Sequence, residues 1–346
     1  MSLLHSQTKS QISHLRDAKR AWSSRCLHGA RIGGFSAFAA AASPSPLQNV
    51  VGVGIGEKLE GDQPTGILAV KFFVRRKYAL NELAKKDLLP KSIDGLPVDV
   101  EQTGLLRAFA AKKKPKAAAQ PAAMPNPKAR FRPAQPGSSV GFRIPGDAGV
   151  MAGTFGALVR DAAGAYILSN NHVLANENSL PAGSPIFQPG LLDGGNMASD
   201  QVASLTRFIN LVPGQANKVD AAIAKGTSAA TLSRDILHIG APSGTTPAAI
   251  DMRVHKFGRT TSYTVGRVIS VATDVTVAYT PGDVMFEDQI MIVGDSGSFS
   301  ASGDSGSLIL ERQTNKATGL LFAGSSTHTV ANHIHEVLAA LGVTLA

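Results

Sequence analysis

Gly303-Asp304-Ser305-Gly306-Ser307-Leu308-Ile309-Leu310 sets a serine between two glycines and follows it at once with an apolar, β-forming run. Glycine lets the chain turn tightly where a Cβ would clash, and successive N–H groups on such a turn can converge on one point. In acyl transfer a developing oxyanion would sit at that point. A serine hydroxyl alone is a weak nucleophile, so the stretch gains meaning only beside a base and a carboxylate that orients it.

Both lie upstream. In Gly156 to Leu174 two apolar runs flank a polar turn at Asp161 to Gly164, which predicts a hairpin, and His172 stands directly after its second strand. Asp220 opens a small apolar strand in Val219-Asp220-Ala221-Ala222-Ile223. Singly, His172 reads equally well as a hydrogen-bonded core histidine and Asp220 as a strand-end cap. Together, in the order His, Asp, Ser and each in its own local frame, they make a triad candidate. Gly294-Asp295-Ser296-Gly297-Ser298 copies the serine motif nine residues early. No strand has room to form between it and Ser302, whereas Ser305 is followed by Leu308-Ile309-Leu310, a turn, and Gly319 to Gly324. The first copy is therefore expected to be a loop ahead of the cleft.

Asn171-His172-Val173-Leu174, Val219 to Ile223 and Gly303 to Ser307 together resemble the histidine, aspartate and nucleophile motifs of the trypsin/chymotrypsin-like serine proteases. Val254 to Val268 is similar to the strand–turn–strand that opens the second barrel in the bacterial α-lytic protease and streptogrisin branch. The resemblance spans about residues 137 to 346. It implies a mainly β chain, a chymotrypsin-like double β-barrel with a small N-terminal α+β domain. It also implies a serine endopeptidase, with His172 as general base, Asp220 orienting it, Ser305 attacking, and the Gly303 and Ser305 N–H groups as oxyanion hole. Phe299, Ala323 and Gly324 fall where the specificity pocket would be, with no carboxylate at its base, which favours small to medium apolar residues over Lys or Arg. Asp304 needs a cationic partner. The branch supplies one from the strand carried here by Lys256, with Arg259 as rival, so the enzyme is expected to form active without proteolysis. No metal or organic cofactor is implied. A protease-fold binding or scaffold protein is the alternative from another class.

The chain has 346 residues, 43% hydrophobic, with 5% aromatics and 35 glycines, which suits short strands and tight turns and is long enough for two cores. Its one cysteine, Cys26, excludes an internal disulfide and points to a reducing, cytoplasmic setting. A run at Ile32 to Ser43 imitates a leader's apolar core but begins some thirty residues in. No stretch is long enough to span a bilayer.

The organisation expected is a basic extension over 1–47, a small α+β domain over 48–107, a linker over 108–136 and the protease region over 137–346. In the extension, Ile12, Leu15, Ala18 and Trp22 fall near helical spacing. In the domain, Val50 to Gly56 and Ile67 to Val74 predict strands, Leu80 to Leu89 a charged helical stretch, and Leu96 to Val100 a further strand. The repeat at Gly52, Gly54 and Gly56 lacks the following helix that a phosphate loop needs, and reads instead as a strand closely approached by another backbone. The linker's Lys112-Lys113-Lys114 and later Lys128, Arg130 and Arg132 predict a solvated spacer. Its charge could attract nucleic acid, with only Phe131 to stack, and the N-terminal domain could recruit a protein partner. Val330, Ile334, Val337, Leu338 and Leu341 predict a terminal helix. His333 and His335 would lie on different faces of it, which argues against a metal site with His328.

Overall fold

The computed structural model describes residues 8–28, 49–61, 63–108, 124–147, 149–228 and 231–346. After helix α1 (Lys9–Ser23) come β1 (Val50–Glu60), β2 (Gln63–Val74), β3 (Ser92–Ile93), β4 (Leu96–Gln102) and β5 (Arg107–Ala108). The next unit comprises β6 (Ser139–Ile144), β7 (Gly149–Thr154), β8 (Ala157–Asp161), β9 (Gly164–Ser169), helix α2 (Asn171–Leu174), β10 (Pro185–Phe187), β11 (Gln201–Phe208), β12 (Ala216–Asn217) and β13 (Ala222–Gly226). The last holds β14 (Arg253–Gly258), β15 (Ser262–Tyr279), β16 (Gly282–Gly294), β17 (Leu308–Glu311), β18 (Ala317–Gly324), β19 (His328–His333), α3 (Ile334–Leu341) and β20 (Thr344–Leu345).

The chain is mainly β and forms a chymotrypsin-like double β-barrel. In the second unit the pairings β14–β15–β16–β19–β18–β17 return to β14 and close a six-stranded ring. In the first, one sheet runs β8-β9-β13-β11-β10-β6-β7, and Val140, Phe142, Met151, Ile167, Ile186, Val202 and Leu205 from its strands share one buried core. A sheet that buries its own face in this way must wrap around it. The terminal β20 returns to pair with β8, so the C-terminus ties the second unit to the first. The hairpin expected over 157–169 and the terminal helix both form, although Val330 lies on β19 rather than on the helix.

The small N-terminal unit is annexed to the second barrel. β1 pairs antiparallel with β15, extending the sheet through β2, β4 and β3. The glycine repeat serves this close approach, as expected. A Cβ on Gly54 would lie 2.5 Å from Thr273 Oγ1, and one on Gly56 2.5 Å from the Ile269 carbonyl oxygen. Helix α1 forms at the expected spacing and is docked, not free. Leu15 and Ala18 are buried, the Trp22 ring meets Phe72 edge-on at 5.4 Å, and buried Lys19 reaches Asp274 of β15 at 2.5 Å.

Two expectations are corrected. Leu80 to Leu89 is not a helix but two short 3₁₀ turns, Leu80–Glu82 and Lys85–Asp87, because leucines at 80, 83, 88 and 89 hold no single helical face and Leu80 is exposed. The second half of the linker, from residue 124, is no solvated spacer. Arg130 and Arg132 both pair with Asp200, and Ala134 exchanges backbone hydrogen bonds with Thr231 and Ser233. The lysine run at 112–114 and the leader-like stretch at 32–43 lie outside the described residues. Cys26 is buried, and that burial pushes its thiol up to about 11. No helix among the described residues is long and apolar enough to cross a membrane.

One charged cluster fixes the N-terminal unit against β19. Buried Lys71 lies 2.6 Å from Glu101 and 3.2 Å from Asp99, while Glu101 also meets His328 Nε2 at 2.9 Å. Burial pushes the Glu101 carboxyl up, but the His328 hydrogen bond and the Lys71 charge outweigh it and hold it down at about 2. An unfolded glutamate titrates near about 4.3. The ionised carboxylate therefore stabilises the fold above that pH, and its contribution is lost as pH falls through about 2. Glu101→Gln is expected to remove at most about 3 kcal/mol at pH 7 and to flatten the acid limb below about pH 5 in thermal melts. An unchanged acid limb would show that the cluster does not fasten the unit.

Candidate active site

The serine turn is held by both barrels. Gly303 and Gly306 adopt φ of +99° and +92°, a left-handed conformation that suits glycine. The Gly306 N–H donates to the Leu321 carbonyl of β18 at 2.8 Å, and the Thr154 N–H at the end of β7 donates to the Ser305 carbonyl at 2.8 Å. Thr154 Oγ1 donates to the Gly303 carbonyl at 3.0 Å and accepts from the Arg259 N–H at 3.0 Å. Glycine at 156 is required by this approach, since a Cβ there would lie 2.1 Å from the Gly306 carbonyl oxygen.

His172 sits on α2, one turn after β9, and Asp220 just precedes β13, the strand hydrogen-bonded to β9. That pairing brings the two together across 48 residues. His172 Nδ1 faces Asp220 Oδ2 in a short contact, and the His172 N–H donates to Asp220 Oδ1 at 3.3 Å. Asp220 is fixed from three further directions. Asn170 Nδ2 donates to its carbonyl at 2.7 Å, its N–H donates to Asn332 Oδ1 at 3.0 Å, and the Tyr279 hydroxyl donates to Oδ2 at 2.7 Å. Burial and the Asp220 charge push the Tyr279 phenol well above its usual range, so it stays protonated as a donor. His172 Nε2 is buried with no hydrogen-bond partner among the described residues, and Ser305 Oγ donates to the Phe322 carbonyl at 3.2 Å. His172, Asp220 and Ser305 are each fully buried. Among the described residues no hydrogen bond joins the hydroxyl to the imidazole.

Lys256 and Asp304 are both fully buried, with Nζ 3.6 Å from Oδ2. Thr261 bridges them: its hydroxyl accepts from Lys256 and donates to Asp304 at 2.6 Å. The Thr260, Thr261 and Ala301 N–H groups complete the carboxylate's shell at 2.8, 3.1 and 2.9 Å. Burial pulls the Lys256 ammonium down, and Asp304 opposes that shift. Arg259, the rival partner, instead forms a two-pronged ion pair with Asp193 of the first barrel at 2.6 and 2.8 Å.

Phe299 lies in the core of the second barrel, its ring against Gly266 and 5.8 Å from Lys256 Nζ, while the next residue, Ser300, bonds Thr329 at 2.6 Å. Ala323 and Gly324 are buried with β5 laid along them. Ser296 is exposed in a loop, as the comparison of motif copies predicts. Among the described residues no three His, Cys, Asp or Glu side chains cluster as metal ligands. Thr154 and Tyr279 escaped the sequence reading. Each acts through a partner far away in the chain, and neither carries a local motif.

No family model matches the chain, and no curated protein matches it. Among solved structures, Thermobifida fusca Protease A is 19% identical over 61% of this chain and 97% of its own, with a TM-score of 0.44. A glutamic acid specific serine protease is 18% identical over 61% of this chain and 100% of its own, at 0.43. Alpha-lytic protease homolog N4 is 18% identical over 61% and 98%, at 0.42.

Proposed function

We propose that this chain is a serine endopeptidase. The observation that carries the reading is the buried His172–Asp220 pair, further held by Tyr279, in a chain whose glycine-flanked Ser305 sits on a left-handed turn bonded to Thr154 of the first barrel. In this reading Ser305 Oγ swings from the Phe322 carbonyl to His172 Nε2, which takes its proton as the hydroxyl attacks a peptide carbonyl. His172 then returns the proton to the leaving amine. Asp220 holds the imidazole tautomer and stabilises its charged form. The Gly303 and Ser305 N–H groups face the tetrahedral oxyanion, and water releases the acyl-enzyme. Ser305→Ala is expected to abolish the parent chain's peptide turnover, a loss of several orders of magnitude, while Ser296→Ala keeps it. The reverse result would reassign the nucleophile.

Lys256 acts through the Asp304 shell to keep the turn in its oxyanion-binding shape. Lys256→Met leaves a carboxylate buried without its cation. Hydrolysis of a chromogenic peptide should fall by about 10²-fold, with soluble yield little changed. Full turnover in this variant would remove Lys256 from the mechanism.

Tyr279 is a positioning residue for Asp220. Tyr279→Phe keeps the ring and deletes one hydrogen bond to a charged group, worth about 1.5–3 kcal/mol. The expected result is a drop of about tenfold or more in kcat with KM nearly unchanged, and a melting temperature lowered by only several degrees. A role in packing alone would leave kcat where it is.

A further inference from the structure

Leu80, Leu83, Leu88 and Leu89, which hold no common helical face, share a cavity instead. It measures about 650 Å³ and opens between the end of α1, the β1–β2–β4 sheet and the two 3₁₀ turns. That is the size of a small-molecule site, ~300–1,000 Å³. Cys26, Val50 and Val74 are its buried lining, and Trp22, Leu83 and Val100 are half-buried around them. Leu80 is 77% exposed at the mouth, and Leu88 is exposed beside it. Leucines left in water at the rim of an apolar cavity add little to the fold and are well placed to meet a guest.

The mouth is basic. Arg25, Arg76 and Lys77 line it and are exposed, against one acid, Asp87. Among the described residues no acid forms an ion pair with any of the three cations. The Arg25 guanidinium stands 4.8 Å from the centre of the Trp22 ring, and that of Arg76 5.2 Å from the Tyr78 ring. Stacking fixes the guanidinium plane and leaves its N–H edge free for the two oxygens of a carboxylate. It also covers a face of each aromatic ring in the lining, and the rest of the apolar wall is aliphatic but for Cys26. An aliphatic hole under a cationic rim suits a flexible alkyl chain ending in an anion. Each methylene gains by burial, while the charged end stays at the wet rim.

We propose that this cavity binds single-chain anionic amphiphiles of the fatty-carboxylate class, with the alkyl chain among Val50, Val74, Val100 and the leucines and the carboxylate at Arg25 and Arg76. The site lies in the N-terminal unit and uses no residue of the candidate active site, so it does not depend on the peptidase reading. It gives that unit a binding function of its own.

Trp22 is the one tryptophan of the chain, so its emission reports directly on the cavity. The full-length protein is titrated with octanoate, decanoate and dodecanoate, each below its micelle concentration, and calorimetry supplies the stoichiometry. The expected result is one site, with each added pair of methylenes tightening binding about tenfold. Dodecanol keeps the chain and loses the charge, and should bind at least about tenfold more weakly. Arg25→Gln combined with Arg76→Gln should cost dodecanoate that same factor and leave dodecanol where it was. Val100→Phe fills the cavity and should abolish binding of both. Leu80→Asp puts a like charge at the exposed mouth, and serves if the Val100 variant does not fold. No saturable binding at any chain length would overturn the site, and equal affinity for dodecanoate and dodecanol would overturn its anionic class. Several equivalents bound per chain, indifferent to Val100→Phe and Leu80→Asp, would be general adsorption and would overturn the proposal. So would flotation with phosphatidylglycerol vesicles without any response to dodecanoate, which would assign the basic rim to a membrane surface.

Discussion

Asp304 is a carboxylate with no access to solvent, and the second barrel is arranged around satisfying it. Five donors converge there: three backbone N–H groups, the Thr261 hydroxyl and, behind that hydroxyl, Lys256. An uncompensated charge at this depth would cost several kcal/mol, so the β14–β15 turn and the serine turn must form together or not at all. The approach is so close that a Cβ on Gly258 would stand 2.6 Å from Asp304 Oδ1. The same turn places Arg259 against Asp193 and the Arg259 N–H against Thr154, which holds Gly303 and Ser305. One buried acid thus couples the two barrels and sets the shape of the serine turn.

The second constraint is shared sheet. A strand edge left open is a liability, and the exposed side of β15 is covered by β1 along a ladder from Gly52 to Gly56. The covering brings β4 and β5 with it. Lys19–Asp274, Lys71–Glu101 and Glu101–His328 then fasten helix, sheet and second barrel through pairs that are largely buried. A buried pair is a weak source of net stability but costly to break one-sidedly, which gives the N-terminal unit a defined register rather than a loose association.

What the sequence disclosed was local. A glycine-flanked serine, a histidine at a strand end and an aspartate opening a strand are each written in a few consecutive residues, and the resemblance built on them carried the double barrel. The glycine repeat at 52, 54 and 56 was legible for the same reason: a strand that cannot bear side chains must be meeting another backbone. Lys256 came from the resemblance, since nothing in Val254 to Gly258 alone marks a buried ammonium. Tyr279 was invisible because its partner Asp220 lies 59 residues away and the ring closes an 18-residue strand with no motif of its own. Composition misled where charge met a specific partner. Arg130 and Arg132 look like spacer residues until Asp200 is set beside them. β5 was illegible for a different reason, because two residues have no period and its stability comes wholly from the edges it joins.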